Sequence, residues 1–560
     1  MWIAHQPLKL LAVVPLALCL NARAASTNTE YGPVWPRYVL PTNAADIFYV
    51  APDGNSNAPG ARLDCPTSLE QAIARAVTGD AIILRGGTYR TGNLVLNQGV
   101  ILQPFEDERP VLKGSRIAAD WKPLPLNIWR AKWPTLFPQK PASWWQRERE
   151  GMFTPLHRFN NDRVFIDGRP LQSAGWEGEL DTNRFYINYE EGCVYIANNP
   201  SNHTVEITSR DFAIIRTTKP AHGQAPDRHG LTIKGITFTQ YASRAIEIEG
   251  SEPEAVADPS AFGKDVVGST FENVTITHCS RVAGYFRGDK TVFRHCLISD
   301  TGTEGLFLMA SSDCLLENNI FARNNVWNLT GYYPAAVKIF NQTRRVVCRD
   351  NLITDQPHSN GVWYDVGNHD AVFVNNRVEN CLAGFFFEIS HGAVCASNVF
   401  ISCQNSIHIL NSTNVRVFHN VFLNAPAVIE RNARSAVADH FGWHPATGPD
   451  IAQRDGHSFI GNLLAADESC GEPLLQCKQA ESLSGKLLLP QISRLDYNRY
   501  ARRGHPEANL ITWAPNPATN AAIPLKTLDE LRHLNPQFEP HGSYEPLSSL
   551  PFKPEELLRL

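Results

Sequence analysis

Charge is scarce in this chain. Only 19% of its 560 residues are Asp, Glu, Lys or Arg, and 51 basic against 56 acidic side chains leave a net charge of −5. So even a balance excludes a protein held to nucleic acid or to an anionic membrane by its field. Cysteine is present but unorganised, with no CxxC pair and no zinc-ligand spacing. Eleven cysteines, Cys65 to Cys477, follow the N-terminal segment. An odd number over so long a chain excludes a disulfide framework, and they read as small buried hydrophobes. Cys470 and Cys477, in one polar loop, are placed to pair. Glycine and proline are at ordinary levels, which excludes collagen-like and low-complexity classes. Beyond Leu20 no apolar run has the length of a membrane span.

What is there begins with Lys9, the apolar run Leu10 to Leu20 and the small-x-small triplet Ala22-Arg23-Ala24. This predicts a signal peptide over 1–24, cleaved after Ala24, and a secreted or periplasmic, soluble protein with no nucleic-acid or membrane partner.

The length exceeds one ordinary compact domain, so several domains or one elongated repeat is expected. The sequence favours the repeat. STFENVTI, TVFRHCLI, DCLLENNIF, RVVCRDNLI, AVFVNNRV, AVCASNVF, VRVFHNVF and HSFIGNLL are short alternating strands with a polar or small residue at one place. Those places are Asn273, Cys296, Asn319, Asn351, Asn376, Asn398, Asn420 and Asn462, mostly 22 to 25 residues apart as far as Asn420. Such units bury their apolar face only by stacking. Asn at a tight bend also tolerates the left-handed backbone, and a column of amides would bond coil to coil. The reading is an all-β, right-handed parallel β-helix, the handedness following the general crossover preference.

The remaining segments attach to that solenoid. Residues 25–120 read as an N-terminal cap and first coils, with a helix in Thr67–Val77 opened by a Thr67–Glu70 capping box. Residues 121–210, rich in Trp and Pro, lose the period and read as an inserted β-rich subdomain. Coils then run over 211–465, and 466–560 reads as a tail packing on the solenoid, with a helix in PLKTLDELRHL.

One strand of each successive coil aligns as GLFLM, AVKIF, GVWYD, GFFFE and SIHIL. Alternation sends Val337, Ile339, Val362, Tyr364, Phe385, Phe387, Ile407 and Ile409 inward. The other face carries Phe307, Met309, Lys338, Phe340, Trp363, Asp365, Phe386, Glu388, His408 and Leu410. Large aromatics on an outward face read as an exposed sugar-binding surface, walled by the loop of His391, the long Asn319–Asn351 interval and the inserted subdomain. Asp365 and Glu388 hold equivalent places in adjacent coils, which sets them roughly 5 Å apart. Double displacement at a glycosidic bond needs a carboxylate pair at about that separation. Two such acids resist ionising together, which keeps one proton for the leaving oxygen.

The stretch GVWYD…GFFFEISHG resembles the active-site region of glycoside hydrolase family 120, the β-helical β-xylosidases. Trp363-Tyr364-Asp365 matches that family's W-x-D, and Glu388-Ile389-Ser390-His391-Gly392 matches its E-[VI]-x-H-G in the next coil. The resemblance implies Asp365 as nucleophile and Glu388 as acid/base. Trp363, Phe386, Lys338, His391 and His408 then become substrate-binding candidates on an oligo- or polysaccharide, with no cofactor. Two other readings stay open. A polysaccharide lyase or uronate epimerase would use Lys338, His391 and Arg344 or Arg345 as basic groups, with Asp365 and Glu388 on Ca²⁺. A glycan-binding surface protein would need the aromatics and not the acids.

Overall fold

The computed structural model describes residues 31–137, 155–253, 258–329, 334–434, 447–515 and 522–550. The expected signal segment lies outside them. Three sheets of 13 strands each run the length of the molecule, and nearly every strand pairs parallel with its counterpart in the next coil. The chain visits the sheets in turn, which is the path of a parallel β-helix. The interior is one continuous apolar column that includes all eight residues sent inward by alternation, each with no exposed surface.

The amide ladder exists and is longer than the repeat suggests. Asn319 Oδ1 accepts the Cys296 amide at 2.8 Å, and Asn351, Asn376, Asn398, Asn420 and Asn462 each accept from the rung before at 2.8–3.0 Å. Asn498 adds a further rung, and buried Glu539 closes the column by accepting from Asn498 Nδ2 and the Tyr500 hydroxyl, both at 2.8 Å. The left-handed backbone belongs to the residue before each rung: His295, Asn318, Asp350, Asn375, Ser397, His419, Gly461 and Tyr497 all have positive φ. Asn273, at φ 55°, is one of these bend residues and not a rung. Its side chain instead accepts the Val34 amide and donates to the Tyr38 hydroxyl, which ties down the N-terminal segment.

Helix α1 (Leu69–Arg75) covers the first coil with Leu69, Ala72 and Ile73. Its N-cap is Ser68, accepting from the Gln71 amide, and not the expected Thr67–Glu70 box. Thr67 is buried as an acceptor for Arg75, and Glu70 takes the Thr91 hydroxyl, so both are engaged elsewhere. The coils do not end near residue 465. Strands Leu475–Gln479, Ile492–Asp496, Arg499–Arg502, Ile511–Trp513 and Ser543–Pro546 extend the same three sheets. Helix α2 (Leu528–Leu534), with a complete Thr527–Glu530 capping box, lies within this last part. Cys470 and Cys477 are buried free thiols and do not pair.

Between Ser115 and Thr208 two small sheets, of four and five strands, enclose their own apolar core around Phe185, Val194 and Ile207. This unit docks on the coils. Arg281 Nε donates to Asn161 at 2.6 Å, Arg158 to the Trp327 carbonyl at 3.1 Å, and the Arg163 guanidinium lies 5.0 Å from the Trp327 ring centre. Among the described residues no helix is long and apolar enough to cross a membrane.

Candidate active site

Five adjacent strands of one sheet build the site: β1 (Leu306–Met309), β2 (Ala335–Phe340), β3 (Asn360–Asp365), β4 (Ala383–Glu388) and β5 (Asn405–Leu410). Their register places Phe307, Lys338, Trp363, Phe386 and His408 in one row across the coils. The next row is Met309, Phe340, Asp365, Glu388 and Leu410. Asp365 and Glu388 are therefore direct partners on neighbouring strands.

The first row is a continuous stack. Lys338 Nζ lies 3.6 Å from the Trp363 ring centre. Trp363 stacks on Phe386 at 5.0 Å and 12°, and Phe386 on His408 at 4.7 Å and 5°. Such cation–π and ring contacts fix side-chain direction as well as adding stability. His408 Nε2 pairs with Glu430 at 3.4 Å, and this contact is the main reason the Glu430 carboxyl is held below the usual range.

The second row carries the acids, each with its own cation. Lys338 Nζ reaches Asp365 Oδ2 at 3.1 Å, so the lysine that caps the aromatic stack also neutralises the first acid. Arg434 Nη2 contacts Glu388 Oε1. The repulsion expected between two bare carboxylates is thus offset from both sides. Buried Arg454 holds Arg434 in place, donating to the Arg434 carbonyl at 2.5 Å, the Asn432 carbonyl at 2.7 Å and Asn411 Oδ1 at 3.1 Å.

The backbone turns sharply just past each acid. Val366 and Ile389 have φ of 60° and 46°, costly for β-branched side chains and the kind of strain that collects at functional sites. A second polar ladder pins this corner: Thr343 Oγ1 donates to Asn368 at 2.5 Å, the Asn368 amide to Ser390 Oγ and the Ser390 amide to Ser412 Oγ, both at 3.1 Å. Ser390 Oγ also donates to the Glu388 carbonyl at 2.7 Å.

The face is not an exposed patch. Phe307, Met309, Lys338, Phe340, Trp363, Asp365, Phe386 and Glu388 are all at most 7% exposed. Val282 and Val366 pack over Phe307, Met309 and Phe340, and Arg434 over Glu388. His391 stands around the corner, on the strand His391–Ala396 of a different sheet. There it stacks on His369 at 4.5 Å, near Arg344, and burial lowers the pKa of both imidazoles, His369 to about 4. Arg345 pairs with Asp313 at 2.6 Å. A groove of about 540 Å³ opens on that same other sheet, lined by Asp370, Asn414, Arg416, Ser458 and Arg494, with no residue of β1–β5.

Three contributors escaped the sequence reading: Arg434, Glu430 and Glu304. Glu304 immediately precedes Gly305 of the aligned GLFLM strand, a position the alignment itself could have flagged. It has no exposed surface, and burial pushes its pKa up to about 7 against the pull of Thr303, Lys338 and Arg281.

Comparisons with known proteins agree with this architecture. The family model described as a right handed beta helix region matches residues 224–378. Pectate lyase PEL9 of Emericella nidulans (strain FGSC A4 / ATCC 38163 / CBS 112.46 / NRRL 194 / M139) is 37% identical over 82 residues, 13% of this chain and 20% of that protein. The match thus spans about a fifth of that curated relative. Among solved structures, XylC in complex with xylose aligns with a TM-score of 0.58 at 15% identity, covering 81% of this chain and 83% of that one. A structure described as a glycoside hydrolase aligns at TM-score 0.44 and 12% identity, over 82% and 97% of the two chains. The chain is a right-handed parallel β-helix, the fold it shares with the xylose-bound protein over most of both lengths.

Proposed function

We propose that this chain is an exported retaining glycoside hydrolase, β-xylosidase-like, acting on an oligo- or polysaccharide. The observation that carries the reading is the direct pairing of Asp365 with Glu388 on adjacent strands, beside the Trp363–Phe386 stack. Neighbouring strands lie about 4.8 Å apart, so the coil spacing supplies the separation that double displacement uses. Asp365 attacks the anomeric carbon and Glu388 protonates the departing oxygen. Glu388 then takes a proton from the water that releases the sugar. Lys338 pairs with Asp365 and holds it in place, and the aromatic row offers faces on which a sugar ring stacks. Arg434 contacts the Glu388 carboxyl group that the departing oxygen has to reach. Asp365→Ala and Glu388→Ala should each abolish hydrolysis of aryl glycosides while circular dichroism shows an intact fold. Azide should rescue the Glu388 variant and give a glycosyl azide of retained anomeric configuration. Near-normal turnover in either variant would refute the assignment.

The lyase or epimerase alternative is less well supported by the donor set. Asp365 and Glu388 each contact a cationic side chain, which competes with a Ca²⁺ ion for the same oxygens. His391 and Arg344, two of its basic groups, gather around His369 on the other sheet. Turnover that yields unsaturated sugars and stops with EDTA would establish it.

A further inference from the structure

The groove on the neighbouring sheet has a charge pattern that the rest of that sheet lacks. It opens across five parallel strands, His369–Val374, His391–Ala396, Thr413–Phe418, His457–Ile460 and Ile492–Asp496, with a volume of about 540 Å³. Register puts Val372, Val394, Arg416, Ser458 and Arg494 in one row. Arg416 and Arg494 are exposed, with Ser458 on the strand between them. Their strands are two spacings apart, about 10 Å. A β-bulge completes the row. Ile492 pairs with His457 and Arg494 with Ser458, so Ser493 is an extra residue, and Ser493 and Arg494 are both exposed. Bulges re-aim side chains in this way beside functional sites. Ser493 Oγ pins the bulge by donating to the His457 carbonyl at 3.0 Å. In the next row a Cβ at Gly456 would meet Asn414 Oδ1 at 2.3 Å, so glycine there leaves the Asn414 amide room in the groove. Further along the same sheet, cations pair across strands. Glu317 accepts from Arg294 at 2.8 Å on one side and contacts Arg349 on the other. Arg416 and Arg494 break that pattern: among the described residues neither has an ion-pair or hydrogen-bond partner. The acid lining the groove, Asp370, lies on the strand at the opposite end from Arg494.

We propose that this groove is a second carbohydrate site, taking a saccharide segment that carries carboxylate groups. Arg416 and Arg494 each present a planar fork of donors that matches a carboxylate. Asn414, Ser458 and Ser493 offer amide and hydroxyl groups to sugar hydroxyls, and Val372 with Val394 gives an apolar floor for a ring face. Asp370 repels carboxylates from its own end, so the charged units sit toward Arg494. The choice of a saccharide rests on the hydrolase reading; the choice of an anion rests on the two arginines. The same two coils carry the groove and the acids, since Asp370 follows Asp365 by five residues and Gly392 follows Glu388 by four. No residue of β1–β5 lines the groove, so its occupant is held beside the acids and not on them.

Isothermal titration calorimetry of the full chain with hexagalacturonate tests the site. Wild type should bind it, and the double variant Arg416→Gln, Arg494→Gln should bind at least roughly tenfold more weakly, the loss that charge-assisted hydrogen bonds carry. Ser458→Asp, which sets a carboxylate between the two arginines, should weaken binding as well. A hexaglutamate peptide, with carboxylates but no sugar, should bind wild type more weakly than hexagalacturonate does. No binding by wild type, unchanged affinity in the double variant, or equal affinity for the peptide would each overturn the proposal. Aryl glycoside turnover should be the same in wild type and the double variant, and its loss in the variant would overturn the separation of the two sites. If wild type hydrolyses no glycoside, the hydrolase reading falls and the calorimetry still decides the groove.

Discussion

Replacing Asn376 by Ala tests whether the amide ladder holds the two acids' coils together. Asn376 lies on the chain between Asp365 and Glu388 and is fully buried. Its Oδ1 accepts from Asn351 N and Nδ2, both at 3.0 Å, and its Nδ2 donates to the Cys348 carbonyl at 2.9 Å and Asn398 Oδ1 at 3.1 Å. Ala removes all four. Asn351 Nδ2 retains the Leu316 and Arg349 carbonyls, and Asn398 Oδ1 retains the Asn376 amide. The Asn351 backbone N–H is left buried with no acceptor. An orphaned buried donor costs about 1–3 kcal/mol, and each lost but replaceable bond about 0.5–1.5 kcal/mol. The total is about 5 kcal/mol, within a range of roughly 2.5–7.5. Urea denaturation followed by circular dichroism measures it. A change below about 0.5 kcal/mol, no more than an ordinary surface substitution gives, would refute the ladder as the element that holds these coils.

Other outcomes follow from the same contacts. Lys338→Met leaves Asp365 buried without its cation and should cost about 3–5 kcal/mol of stability together with most of the activity. Adding Asp365→Asn should recover much of the stability, and a double-mutant cycle with no coupling would contradict the pair. Glu539, whose pKa burial raises to about 7, binds its proton more tightly folded than unfolded. Its contribution to stability is therefore greatest below the unfolded carboxyl range and is lost as pH rises through about 7, by up to about 3 kcal/mol. Glu539→Gln should flatten that decline in a stability–pH series, and an unchanged slope would show that Glu539 does not titrate there. Trp363→Ala should remove the ring between Lys338 and Phe386 and raise KM for aryl glycosides more than it lowers the stability of the remaining coils. Unaltered KM would remove the aromatic row from substrate binding.

How much of this was legible in the sequence depended on periodicity. The ladder was readable because Asn recurs at a nearly constant interval, and its misplaced first member shows the limit. Asn suits both the rung and the bend before it, so Asn273 mimics a rung one position early. Asn498 was missed because longer loops stretch the interval after Asn462 to 36 residues. The register of Asp365 on Glu388 was readable because strand alternation and the aligned Gly361 and Gly384 fix both phase and depth. The burial of that face was not, since its cover comes from Val282, Val366 and Arg434, which no alternation rule points toward the acids. Arg434 reaches Glu388 only because Arg454 anchors its loop to Asn411, a contact made 43 residues apart.

The central claim is that Asp365 forms a covalent bond to sugar. Glu388→Gln, given an activated aryl β-xyloside or the member of an aryl glycoside panel that wild type hydrolyses, should load and then stall. Mass spectrometry of the digested protein should find one sugar on the peptide that contains Asp365. Hydrolysis by wild type with inverted anomeric configuration, and no adduct on that peptide, would contradict the account.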